Sequence, residues 1–144
     1  MKSMKMDTMQ VYLLRLEKGE ELLTTIKRFV KEHNICAGYL TGIGALEKGT
    51  IGYFDTEAQK YVHTPFQKVE LISCMGNIAK DKDTGEPVIH AHILLGKKDG
   101  STLGGHLVEG FVSVTTEIYL VETRPPVFRI KDSSTGLYLL SPKN

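Results

Sequence analysis

The chain has 144 residues and a mass of 16.0 kDa, with 41% hydrophobic residues, which suits one domain around a single substantial core and is too little for two. Its 18 Lys and Arg against 17 Asp and Glu give a formal net charge of +1. The molecule therefore lacks the overall basic field of a protein that lives on a phosphate backbone, and nucleic-acid binding would need a local patch or an assembled oligomer.

Cys36 and Cys74 form no CxxC pair and follow no secretory apolar segment. No run of about eighteen apolar residues suggests a membrane span. The expectation is a soluble cytoplasmic protein with reduced thiols and no membrane association.

In chain order, the polar, Met-rich start is read as a loose segment over 1–8, followed by a strand over 10–16 (QVYLLRL) rich in apolar and β-prone residues. Lys18-Gly19 breaks it. Over 20–33, Leu22, Leu23, Ile26, Phe29 and Val30 recur at the spacing of an amphipathic stripe, so this is the main helix. Glu20 and Glu21 suit its positive end, Lys31 and His33 its negative end, and Asn34 is a fitting stop.

From Ile35 onward short apolar runs alternate with glycine and turn residues, predicting strands over 35–46, 49–55, 60–64, 66–78, 87–97, 106–121 (bent or split), 127–130 and 137–140. Most connections are too short for helical crossovers. The predicted fold class is therefore α+β: one domain over 1–144, a largely antiparallel, strongly bent sheet, one main helix, and a tail at 141–144.

The chemistry concentrates in VIHAHILLGKKDGSTLGGHL, which holds His90, His92 and His106, three of the five histidines. Strand residues two apart share a face, so His90 and His92 project together while Ile89, Ala91, Ile93 and Leu95 face the core. Two neutral imidazoles so placed suit one divalent ion. The third ligand depends on register. A two-residue turn at Asp99-Gly100 sets His92 opposite Leu107 and His90 opposite Glu109, making Glu109 the third member. One extra residue at Gly104-Gly105 reverses the parity and substitutes His106. Both alternatives stay open at the level of residues.

Elsewhere, Glu70 in FQKVELISCMG is read as an outer-face carboxylate and Cys74 as a buried, inert thiol. His33 is read as a helix-end cation and His63 as a loop side chain. Gly42-Ile43-Gly44 is followed by Glu47 rather than the last glycine of a dinucleotide-binding fingerprint, which excludes that reading.

Taken in order, GIGALEKGTIGYFD, FQKVELISCMGNI, HAHILL and GGHLVEGFVSVTTEIYL resemble the plants-and-prokaryotes-conserved domain, usually called PPC, over nearly the whole chain. The resemblance implies an α+β domain that assembles as a homotrimer, with His90, His92 and His106 as a metal site resembling a zinc centre, and it favours the bulged register. Plant members carry AT-hooks and bind DNA; bacterial and archaeal members commonly carry a DNA-binding label. This chain departs from the plant pattern, having no Arg-Gly-Arg-Pro, the nearest fragment being Thr123-Arg124-Pro125-Pro126.

The expected function is a stand-alone homotrimeric regulatory module that binds zinc or another divalent transition metal, with a small-molecule ligand at the metal and a DNA-associated role. The alternative is a zinc-dependent enzyme acting on a small molecule, with Glu109 or Glu70 as base.

Overall fold

The computed structural model describes residues 1–142. Its elements are β1 (Asp7–Glu17), α1 (Leu22–Glu32), β2 (Gly38–Asp55), β3 (Lys60–Asp81), β4 (Pro87–Gly96), β5 (Thr102–Arg124), β6 (Phe128–Lys131) and β7 (Tyr138–Ser141). The loose N-terminal segment is shorter than expected, since Asp7 and Thr8 already pair with Arg124 and Thr123. Of the expected tail, Ser141 closes β7, and Lys143 and Asn144 lie outside the described residues.

Two pairs of expected strands fuse. Segment 35–46, from Gly38 onward, joins 49–55 in β2, and 60–64 and 66–78 join in β3. In β2, Leu46 and Gly49 are both buried across exposed Glu47 and Lys48; in β3, Phe66 and Val69 are buried across exposed Gln67 and Lys68. Lys68 sits at φ 50°, and the β2–β5 register shifts between Leu46 and Lys48. Such bulges flip the inside–outside parity, so one bent strand reads in sequence as two.

The seven-stranded sheet runs β1-β5-β2-β3-β6-β7, and β4 pairs with both β3 and β5. The pairings of β2, β3, β4 and β5 thus close a ring. Every pairing is antiparallel except β3–β6, so the structure is mostly strand with one short helix.

α1 forms where predicted, two residues shorter at its start and one at its end. Glu21 is its N-cap, accepting from the Leu23 and Thr24 amides and also from the Gly110 amide of β5. Asn34, at φ 53°, takes the left-handed conformation that ends a helix. Leu22, Ile26 and Val30 are buried with Leu40, Leu46, Leu95, Ile118 and Leu120, each such side chain contributing roughly 1.5–3 kcal/mol.

Along β4, Ala91, Ile93 and Leu95 are buried, whereas His92 and Leu94 are exposed, as the alternation predicts. The β4–β5 hairpin decides what lies across from them. Gly100 at φ +80° ends a turn in which its amide donates to the Lys97 carbonyl, and the Lys97 amide donates to the Ser101 carbonyl. This is a three-residue loop with a left-handed glycine. Gly96 therefore pairs with Thr102, and His92 with His106 rather than Leu107.

The extra residue is thus at Gly100, and the ladder passes Gly104-Gly105 without a shift. Neither of that pair has a positive φ. They serve close approach instead: a Cβ on Gly105 would stand 2.9 Å from the Gly52 carbonyl oxygen, and one on Gly104 2.8 Å from that of Ile93. Gly105→Ala is expected to lower stability by about 1–3 kcal/mol, read as a reduced urea midpoint; an unchanged midpoint would remove the close-packing account.

Candidate metal centre

His90 and His92 leave β4 on the outer face of the sheet, beside Asn77 and Met75 of β3, and His106 stands across from His92 on β5. Ring centroids lie 5.1 Å apart for His90–His92 and His90–His106, and 5.5 Å for His92–His106. Each residue offers one ring nitrogen within 4.8 Å of the others. Nitrogens bound to a tetrahedral ion at about 2.0–2.1 Å stand about 3.3 Å apart, so ring adjustments of about 1.5 Å or less would complete the set.

Electrostatics favours lone pairs over protons. Burial, then Arg129, His106 and His92, push His90 down to about 4 from its usual 6.5. Burial, then His92, Arg129 and His63, lower His106. Both rings are therefore neutral near pH 7, the form that ligates metals. His106 Nδ1 is buried without a hydrogen-bond partner among the described residues, and an orphaned ring nitrogen beside two other imidazoles is what a metal would satisfy. The donor set fits a borderline-soft divalent transition metal.

The other expected candidates fall outside the cluster. Glu109 is exposed and accepts from the Thr50 hydroxyl. A second irregularity explains its position: Ile51 pairs with Leu107 but Thr50 with Glu109, leaving Val108 extra. Glu70 is exposed opposite Gly96, at the hairpin end of β4. Cys74 is fully buried and its thiol is pushed up to about 12, in keeping with an inert side chain. His33 caps α1 and stacks on Phe29 at 3.9 Å.

Sequence reading missed four neighbours. His63 is a strand residue rather than a loop residue, and it flanks Gly52 on the opposite side from His106. The Tyr61 ring lies 5.4 Å from that of His106. Arg129 of β6, only 6% exposed, donates to Asn77 Oδ1 at 2.7 Å, to the Tyr138 carbonyl at 2.7 Å and to His90 Nδ1 at 3.1 Å. Tyr61, Arg129 and Tyr138 of β7 line a cavity of about 290 Å³ together with His90 and His106. An arginine in VFRIK carries no sequence signal for this role.

Because His90 and His106 have depressed folded pKa values, their contribution to stability is complete above about pH 6.5. As pH falls from there toward about 4, the unfolded chain takes up protons first and the metal-free fold loses stability. The urea midpoint should drop between about pH 7 and about pH 4.5, and drop less in His90→Gln. Equal pH sensitivity in the two proteins would contradict this.

These features define a class: a bent β-sheet domain with an open cluster of three imidazoles on its outer face, flanked on one side by the β6–β7 hairpin. The family model of the Plants and Prokaryotes Conserved domain matches residues 4–124, and the chain belongs to that family.

Among solved structures, a plant- and prokaryote-conserved protein from Pyrococcus horikoshii is 40% identical, with a TM-score of 0.90 over 100% of this chain and 99% of that one. A metal-containing protein from Archaeoglobus fulgidus is 34% identical, with a TM-score of 0.89 over 96% and 98%. A protein from Ralstonia eutropha that carries a DNA-binding label is 25% identical, with a TM-score of 0.81 over 92% and 91%. A bifunctional protein GlmU from Synechococcus is 30% identical over 90% of this chain, which spans 20% of that relative's length.

Proposed function

We propose that the chain is a regulatory module of the Plants and Prokaryotes Conserved type, in which His90, His92 and His106 hold one divalent transition metal, zinc by preference, and leave a fourth position for water or a small ligand. The observation that carries this reading is the convergence of three imidazoles, two of them held neutral and one with an orphaned buried nitrogen. The metal-containing Archaeoglobus fulgidus relative is in keeping with it.

Bound metal would act as a Lewis acid on whatever occupies the open position. The chain's own residues would orient that ligand: Arg129 brings its charge to the cavity wall, and Tyr61 and Tyr138 line the same cavity. Elemental analysis of protein purified without a metal-affinity column should find about one metal per chain. His90→Ala and His106→Ala should each reduce it at least tenfold, and Glu109→Gln should leave it unchanged. Retention in both histidine variants would sink the reading.

The same reading includes a homotrimer. Leu13, Tyr119, Thr41, Met75 and His92 occupy one row in register across β1, β5, β2, β3 and β4. Leu13 is 62%, Tyr119 54% and Met75 64% exposed, and Tyr39, Ile43, Leu94 and Val114 extend the apolar face. A contiguous apolar face of this kind supports self-association. Met75→Lys should shift the sedimentation of an assembled protein toward monomer.

A DNA-associated role rests on the family and on the label of the Ralstonia relative. With a net charge of +1, contacts would come from repeated hairpin tips bearing Lys97 and Lys98. Affinity should then fall on a log–log plot against salt with a slope of about −0.9 per phosphate contacted; a flat response would exclude direct binding.

The cavity beside His90 and His106 favours one second reading, a zinc-dependent enzyme for a small molecule. Neither Glu109 nor Glu70 lies in the cluster to act as its base. Turnover that disappears on chelation and returns with zinc would establish it.

A further inference from the structure

Arg129 poses an unanswered charge question. Its side chain is buried inside the cavity wall, its three hydrogen-bond partners are all neutral, and none of the four ion pairs among the described residues includes it. Its Nε makes no hydrogen bond to another group among the described residues. A buried guanidinium is ordinarily matched by an anion. Here the groups it meets are a side-chain amide, a backbone carbonyl and a histidine ring.

The contact with His90 has a further consequence. A guanidinium only donates, so His90 Nδ1 must be the accepting nitrogen, and a neutral imidazole has a single nitrogen with a free lone pair. If Nδ1 accepts from Arg129, Nε2 carries the hydrogen and cannot bind a metal. If either nitrogen of neutral His90 binds a metal, Nδ1 is occupied or protonated and cannot accept from Arg129. The Arg129–His90 hydrogen bond and metal ligation by neutral His90 therefore exclude one another.

We propose that the cavity takes a small organic carboxylate, one end of which bridges the metal's open position and the Arg129 guanidinium, so that metal and carboxylate each strengthen the other's binding. The inference rests on the three-histidine metal reading above. Metal binding breaks the Arg129–His90 bond and places a second positive centre beside a cation that has no anionic partner among the described residues. A carboxylate accepts from the released N–H groups and neutralises both.

The remaining walls select among anions. Val88, Ile89, Leu137 and Leu139, with the rings of Tyr61 and Tyr138, are chiefly apolar. They suit a carboxylate with a compact hydrocarbon body, and apart from the two tyrosine hydroxyls their side chains offer no donor to the other oxygens of inorganic phosphate. The cavity of about 290 Å³ fits a ligand of a few carbons.

The test uses metal-free, full-length protein titrated with cobalt(II), whose visible absorption reports its ligands, alone and with isobutyrate or inorganic phosphate. Isobutyrate should tighten apparent cobalt affinity on the order of tenfold, within the usual range of site coupling, and should alter the cobalt spectrum. Cobalt should tighten isobutyrate binding by the same factor, as linkage requires. Arg129→Gln should bind cobalt alone at least as well as wild type yet lose the isobutyrate effect. Arg129→Lys, which keeps the charge but not the fork, should keep only part of it.

If cobalt binds but isobutyrate changes neither affinity nor spectrum in the wild type, the carboxylate proposal fails and the metal reading stands. Absence of cobalt binding sinks both. Phosphate matching isobutyrate would overturn the carboxylate assignment, and an undiminished isobutyrate effect in folded Arg129→Gln would overturn the role of Arg129. The wild-type arms decide the matter even if that variant does not fold.

Discussion

The register of the β4–β5 hairpin is the constraint on which the site depends. Gly100, at φ +80°, lets the turn carry one residue more than a two-residue turn would, a conformation that glycine adopts without the steric cost of a Cβ. That residue sets His106 opposite His92 and sends Leu107 into the core, where it is 1% exposed. One residue fewer would turn the imidazole inward and the leucine outward, losing apolar burial and desolvating a polar ring. Hydrophobic packing and site assembly thus enforce the same register. The second irregularity, at Val108, restores pairing with β2 beyond the site and leaves Glu109 bound to Thr50.

Closure of β2, β3, β4 and β5 into a ring gives the histidines a rigid floor, and the parallel β3–β6 contact brings a late segment of the chain onto it. Phe128 and Arg129 pair with Lys80 and Asp81, at the end of β3 where β4 begins. From there Arg129 reaches back to Asn77, which faces His90 across the β3–β4 ladder. The outcome is a site with an unusual charge pattern: three imidazoles, a buried cation and, among the described residues, no carboxylate in the cluster. Such a pattern welcomes a metal for its lone pairs and an anion for its field. It gives little support to acid–base catalysis by a protein carboxylate.

His92 belongs to two features at once, being a member of the imidazole cluster and the end of the apolar row that includes Leu13, Tyr119 and Met75. Association of copies through that row would therefore lie next to the imidazole cluster and limit its access to solvent. Assembly and metal loading would then be linked by contact, without any long-range change of shape. The near-neutral charge fits such packing between copies better than it fits an extended phosphate-binding surface. Among the described residues no helix is long and apolar enough to cross a membrane.

The sequence by itself determined the pieces governed by local periodicity and turn chemistry. These were the helix with its Leu22, Ile26 and Val30 stripe, the Asn34 stop, the outward His90–His92 pair, the buried Cys74 and the predominance of antiparallel strands. The family resemblance named His106 as the third member where the residues alone left Glu109 in contention. Tertiary structure decided the rest. It located the extra residue at Gly100 instead of Gly104-Gly105, because an Asp-Gly pair fits turns of two lengths whose parities are opposite. It fused expected strands into β2 and β3, because bulges reverse the burial pattern within one continuous strand. It supplied Arg129, Tyr61, His63 and Tyr138, because contacts between distant segments follow from which strands pair, and no local pattern in the chain encodes that.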